Sequence, residues 1–286
     1  MRKDVCMRFI EATIANEVTY TGVGLHSGQP VKMTLKPAET GVGIVFIRTD
    51  LPDCPPVKAV VSNVTNTMRA TTLENGEAKV FTVEHVLAAL YSLEIDNCYV
   101  ELDSPEPPVA DGSGRVFAEL VEAAGIVKQA ANRAIYSVKK QHLIEEEGKF
   151  IAIIPYDGLR ITFTSINPHP LLGVQFVDYK INPHVFMDEI SRARTIGFVD
   201  EIAALQKMGL AKGGTLENVV VYDKTTCLSK PRFFDELVRH KVLDVLGDIS
   251  LLGPIKGHII AVRSSHALNF KLAKSIQQEI INQGGL

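Results

Sequence analysis

Apolar and polar residues alternate along residues 9–50, interrupted by the glycine-rich stretch TGVGLHSG (21–28). A period of two is the mark of a half-buried strand, so this region predicts two strands and a loop. Residues 53–75 hold short strand candidates punctuated by Pro and Asn. The period then changes. Val83, Val86, Leu87, Leu90 and Leu93 fall at helical spacing, which predicts a helix over 82–95 with Thr82 as its N-cap. A strand is expected over 98–102, followed by the turn-rich DSPEPPVADGSG. A second amphipathic helix is expected over 115–124, closed by Gly125.

Residues 128–133 read as a polar connector, and this marks the expected boundary between an N-terminal domain, 1–130, and a C-terminal domain, 131–286. Beyond it, strands are predicted over 135–144, 150–155, 159–166 and 255–262, and helices over 183–192, 200–208, 233–249 and 268–283. Strands followed by helices, twice over, predict an α+β protein of two similar halves.

Composition narrows the function class. At 286 residues the chain exceeds an ordinary single domain and can bury a core without staples. Its 30 basic and 33 acidic residues are scattered, so no basic stripe for nucleic acid is present. No apolar run reaches the ~18 residues of a membrane span. Cys6, Cys54, Cys98 and Cys227 form no CxxC pair, which excludes a zinc ribbon and a thioredoxin motif and suits a reducing compartment. The chain is therefore expected to be soluble and cytoplasmic, without a transmembrane segment or a nucleic-acid partner, and to be a monomer. Eight histidines remain as candidate chemistry.

The most informative segment is DELVRHKVLDVLGDI (235–249). On a helix, with His240 at zero, Asp244 lies near about 40°, Asp248 near about 80°, Lys241 near about 100° and Glu236 near about −40°. The opposite face carries Val238, Val242, Val245, Leu246 and Ile249. Such a stripe is either a solvated face with an ordinary His–Asp pair or two ligands for one metal ion. Clustered charges on a helix this apolar are costly unless used, which favours the second. His85 is a third candidate ligand, and its neighbour Glu84 a candidate general base beside a metal-activated water. His266, in RSSHALN, sits between a predicted strand and helix, a common place for a catalytic group. HExxH, GxSxG and GxxxxGK[ST] are absent, which argues against a zincin protease, a nucleophile-elbow hydrolase and a P-loop.

Six ordered blocks carry a resemblance: TGVGLHSG (21–28), FTVEHVLAALYSLEIDNCYVELD (81–103), SRARTIGF (191–198), GLAKGGTLENVVV (209–221), RHKVLDVLGD (239–248) and SSHALN (264–269). Together they closely resemble the UDP-3-O-acyl-N-acetylglucosamine deacetylases (the LpxC family), zinc enzymes of lipid A and lipopolysaccharide biosynthesis. The resemblance implies two similar domains, each a sheet layered with two helices. The helices would meet face to face around the active site as a β-α-α-β sandwich, with a small insert in each domain. It implies His85, His240 and Asp244 as ligands of one catalytic Zn2+, a site that Fe2+ also fits by ligand type. Glu84 would be general base and His266 general acid, oriented by Asp248. Thr195 would donate to the oxyanion, and Lys241 would position substrate or stabilise charge. The N-terminal domain would supply Glu84 and His85, and the C-terminal domain His240, Asp244 and His266. An insert near 198–222 would hold the acyl chain, and Lys149, Phe198, Thr215, Arg263 and His26 would contact the substrate, a UDP-linked acylated glucosamine. The implied reaction is hydrolysis of a linear amide, releasing acetate.

Overall fold

The computed structural model describes residues 9–283; the first eight residues, Cys6 among them, and the last three lie outside that range. Two sheets of the same topology dominate it. In the N-terminal half, Val18–Val23 (β1), Pro30–Pro37 (β2), Ile44–Arg48 (β3) and Pro56–Lys58 (β4) precede helix Glu84–Ser92 (α1). Strand Cys98–Leu102 (β5) and helix Arg115–Ala124 (α2) follow. The order across the sheet is β1-β2-β5-β3-β4, with β5 parallel to β3 and the other pairs antiparallel.

The C-terminal half repeats this. His142–Glu146 (β6), Lys149–Ile154 (β7), Leu159–Ile166 (β8) and Val174–Lys180 (β9) precede helix Glu236–Ile249 (α3). Strand Ile255–Val262 (β10) and helix His266–Asn282 (α4) complete it. The order is β6-β7-β10-β8-β9, again with one parallel pair among the five, β10 with β8; Tyr136–Ser137 adds a second parallel pairing to β10. Helix α1 of one half packs on α3 of the other, and residues of both helices and both sheets share one continuous core. The α+β arrangement of two similar halves is thus the observed one.

Several local expectations differ. Residues 9–50 hold four strands rather than two, counting Ile10–Ile14 before β1. The expected connector is strand Ile126–Asn132, paired antiparallel with Ile10–Ile14. No residue of that strand is fully buried, so it carries no apolar alternation for a pattern to reveal. The 135–144 strand divides into Tyr136–Ser137 and β6. Thr82 does not cap α1. Its φ is +58°, Val83 holds the N-cap position without a side-chain bond, and the Thr82 hydroxyl donates to Glu106 Oε1 at 2.8 Å. Strand β9 was not anticipated; its outward residues Val174 and Phe176 are exposed, which hides the alternation.

Two glycines set the approach of segments around the centre. A Cβ on Gly112 (φ +81°) would lie 1.6 Å from the Asn218 carbonyl oxygen, and one on Gly247 of α3 would lie 2.2 Å from the Glu84 carbonyl oxygen. The α1–α3 crossing is therefore a backbone contact at the residue that begins α1.

Candidate metal centre and active site

The α1–α3 contact brings the two ends of the chemistry together. His85, in the first turn of α1, meets His240 and Asp244 on α3, and one ligand atom from each lies within 4.8 Å of the others. The His85 and His240 rings meet edge to face with centroids 5.1 Å apart. His240 Nδ1 donates to the Ala193 carbonyl at 3.0 Å, leaving Nε2 on the Asp244 side, 3.3 Å from Oδ1. Lys241 Nζ donates to Asp244 Oδ2 at 2.8 Å. His240 and Asp244 thus each have a second partner that orients them.

Burial and neighbouring charge set the protonation states. Burial lowers the His85 imidazole to about 3, helped by His240, and also lowers His240. Burial works against the Asp244 charge, but Lys241 and the surrounding imidazoles outweigh it and hold the carboxyl well below its usual range. Two neutral imidazoles and one carboxylate are a donor set that suits a divalent transition-metal ion. The three residues fit such an ion.

Glu84 and His266 flank this trio. Glu84 is 3% exposed, and burial, reinforced by Asp248 and Asp244, raises its carboxyl to about 7. His266 is the first residue of α4 rather than a loop residue, with Ser265 at the N-cap. Its Nε2 lies 4.0 Å from Glu84 Oε1 and 3.9 Å from Asp244 Oδ2. Its Nδ1 donates to Asp248 Oδ2 at 2.8 Å. Burial opposes the imidazolium, yet Asp248 and Asp244 more than compensate and raise it to about 10. A carboxyl shifted up beside an imidazole shifted up is a proton acceptor and donor pair held in one cleft.

A cavity of about 560 Å³ opens over these groups. Its floor is Glu84, His85, His240, Lys241, Asp244 and His266, and its walls include Thr195, Leu25, Ile202, Leu205 and Leu216. The apolar walls come mainly from the insert, where helix Val199–Lys207 follows the strand Ile196–Phe198, itself paired with Val220–Tyr222. His26 and Thr215 also line the cavity. Phe198 instead packs with His169 and Tyr222. Lys149 and Arg263 lie outside the lining but close together. Phe150 pairs with Val262, so the two cations are the next residues at that end of β7 and β10, beside the turn into His266.

Three supports of the site were not anticipated. Glu106, fully buried, accepts from the His26 and Ser27 backbone N–H groups and the Thr82 hydroxyl, which shapes the loop carrying His26. Arg194 and Glu236 form a buried ion pair beside Thr195; Glu236 also accepts the backbone N–H groups of Arg194 and Arg232. Thr71 and Asn269 donate to Asp248. Only Arg194 and Asn269 lay within the six blocks quoted above, and apart from the Arg232–Glu236 bond, four residues apart, these contacts join residues distant in sequence.

The family model for UDP-3-O-acyl N-acetylglycosamine deacetylase matches residues 11–278. The UDP-3-O-acyl-N-acetylglucosamine deacetylase of Bdellovibrio bacteriovorus is 41% identical over 271 residues, covering 94% of this chain and 90% of that one. The Myxococcus xanthus protein of the same name is 42% identical over 272 residues, covering 94% and 87%. That of Anaeromyxobacter dehalogenans is 43% identical over 269 residues, covering 93% and 87%.

Proposed function

The chain belongs to the UDP-3-O-acyl-N-acetylglucosamine deacetylase family, and from that membership we propose that it hydrolyses the acetamide of a UDP-3-O-acyl-N-acetylglucosamine. It is a deacetylase of lipid A biosynthesis, releasing acetate and a free amine. The observation that carries the site assignment is the convergence of His85, His240 and Asp244 with Glu84 and His266 under one largely apolar cavity.

In this reading His85, His240 and Asp244 hold Zn2+, for which two imidazoles and a carboxylate are suited; Fe2+ accepts the same donors. When bound, the ion supplies Lewis-acid activation of water and of the acetamide carbonyl. Glu84 accepts the proton of the attacking water, for which a carboxyl raised to about 7 by burial is matched to neutral pH. His266, kept protonated by Asp248 and Asp244, delivers a proton from Nε2 to the departing nitrogen, without which the amine leaves poorly. Thr195, on the cavity wall, donates to the carbonyl oxygen as negative charge develops there. Its backbone is pinned on both sides, N–H to Gly112 and C=O to Val220. Lys241 offsets charge beside Asp244.

The acyl chain occupies the apolar part of the cavity under the insert, with His26 and Thr215 on its wall. Lys149 and Arg263 meet the diphosphate, and Phe198 supports the insert wall through its packing on Tyr222. Residues 1–130 and 131–286 act as the two domains, one bringing base and one ligand, the other bringing two ligands and the acid. Among the described residues no helix is long and apolar enough to cross a membrane, and Cys54, Cys98 and Cys227 are free. Free thiols suit a reducing compartment, and the proposed setting is the cytoplasm, with the chain acting as a monomer.

Removal of the ion with a chelator tests this. Acetate release from UDP-3-O-acyl-N-acetylglucosamine is expected to stop while the far-UV circular dichroism is retained, and to return when Zn2+ is restored. Glu84→Gln is expected to bind one ion per chain yet lose about 10² or more in kcat, in line with removal of a general base. Undiminished turnover by the chelated chain would rule out the zinc mechanism.

A further inference from the structure

Thr71 stands between the two proton-handling groups and belongs to neither their helices nor the metal ligands. It comes two residues after Arg69, which lines the cavity and has a φ of +68°, and it is 2% exposed. Its backbone N–H donates to Glu84 Oε2 at 3.1 Å. Its hydroxyl donates to Asp248 Oδ1 at 2.5 Å and lies 3.5 Å from His266 Nδ1. One residue of the N-terminal half thus grips the carboxylate of the base with its backbone and the carboxylate behind the acid with its side chain.

The Asp248 carboxylate shows why the hydroxyl matters. Oδ2 accepts two bonds, from His266 Nδ1 at 2.8 Å and Asn269 Nδ2 at 2.8 Å. Among the described residues the bond to Oδ1 is that of Thr71. Asn269 is itself fixed by Ser264, whose hydroxyl donates to Asn269 Oδ1 at 2.6 Å. Three donors at known positions define the plane of a carboxylate that is 2% exposed, and that plane aims His266 Nε2 toward Glu84 and Asp244. Without the Thr71 hydroxyl, Oδ1 is a buried anionic oxygen with no partner, and the carboxylate is free to rotate about the two bonds on Oδ2. The contact also crosses between the halves, so it registers the acid against the base.

We propose that Thr71 is a positioning residue for the deacetylation, holding Asp248, and through it His266, in line with Glu84. This rests on the function proposed above. It distinguishes two contributions of one residue: the N–H, which every residue but proline would supply, and the hydroxyl, which Ser preserves and Val removes at nearly constant volume.

The test uses the zinc-loaded full chain and UDP-3-O-acyl-N-acetylglucosamine. Acetate release by the unmodified chain tests the proposed function; the variants, taken relative to it, test Thr71. Thr71→Val is expected to lower kcat roughly 10- to 100-fold, the size of one hydrogen bond to a buried charge. KM should stay within about twofold, and the zinc content unchanged, because neither substrate nor ligands are touched. Thr71→Ser should recover kcat to within about threefold, since the donor is restored. Thr71→Ala, which places no methyl against the carboxylate, is read the same way and covers poor folding of the valine variant, with a melting curve for each. A role in folding alone would lower activity equally in any background. The proposal instead expects Thr71→Val to cost less than about twofold once Asp248→Ala has removed its partner. Wild-type kcat in Thr71→Val and Thr71→Ala, or an equal loss in the Asp248→Ala background, would overturn it.

Discussion

Replacing Gly247 by alanine sets two effects of opposite sign against each other. In a helix interior alanine is favoured over glycine by about 1 kcal/mol, so helix propensity alone predicts a more stable α3. The structure predicts otherwise. The new Cβ would sit 2.2 Å from the Glu84 carbonyl oxygen and 2.8 Å from its carbonyl carbon and Cα, where ordinary contacts begin at 3.4 Å. These are backbone atoms of the first turn of α1 and cannot swing aside, so α1 must retreat from α3 by about 1 Å. Overpacking of this kind costs about 1–3 kcal/mol, which leaves the net change in stability small. The effect on the site is not small. Glu84 and His85 ride on the displaced turn, while His240 and Asp244 stay on α3. Metal–ligand distances tolerate about 0.2 Å, and an error of about 1 Å in a reacting group costs about 10²-fold in rate. Gly247→Ala is therefore expected to melt within a few degrees of the parent, bind zinc more weakly in a competitive chelator titration, and lose about 10²-fold in kcat. Full zinc affinity together with parental kcat would show that the helices do not meet through this glycine, and the argument for the site geometry would fail with it.

Glu106→Gln replaces one of two accepting oxygens with a donor facing the His26 and Ser27 N–H groups; KM for the acylated substrate should rise several-fold with zinc content unchanged, and stability should fall by about 1–3 kcal/mol in denaturant titration. Arg194→Met leaves the buried Glu236 carboxylate without its counterion, which should cost about 3–5 kcal/mol in the same titration, with Arg194→Met/Glu236→Gln recovering part of it because a neutral amide oxygen still accepts a backbone N–H. Glu279 is held below the ordinary carboxyl value of 4.5 by the Tyr136 hydroxyl first, against an opposing contribution from burial, and then by Lys140 and His142. A depressed carboxyl stabilises the fold above the unfolded pKa, and this contribution fades as the pH falls through the folded value. Glu279→Gln should therefore melt lower than the parent at pH 7, with the gap closing below about pH 4.5; a gap that stays constant down to pH 3 would contradict the linkage.

Legibility in the sequence followed the range of the interactions. The helix 236–249 announces itself because its period is local: Val238, Val242, Val245 and Ile249 repeat at helical spacing, and the ionisable stripe follows from the same rotation. Strands failed where exposure broke the alternation, as in Ile126–Asn132, whose residues pair with Ile10–Ile14 yet bury little. Thr82 looked like a helix cap because its type suits one, but its positive φ is imposed by the turn before α1, and its hydroxyl serves Glu106 instead.

The α+β class, the amphipathic helices, the residue types available for metal and proton chemistry, and the family are all legible along the chain. How those residues meet is legible only in the folded molecule. His85 lies 155 residues from His240 in the chain, and no local period relates them; their approach is set by one glycine that lets two backbones touch. Likewise Thr71 and Glu106 carry no signal of their own, and Glu236, though part of the ionisable stripe, gives no sign of its pairing with Arg194. Each matters through a partner supplied by a distant segment, and periodicity encodes which face of an element is buried but not which residue it will be buried against.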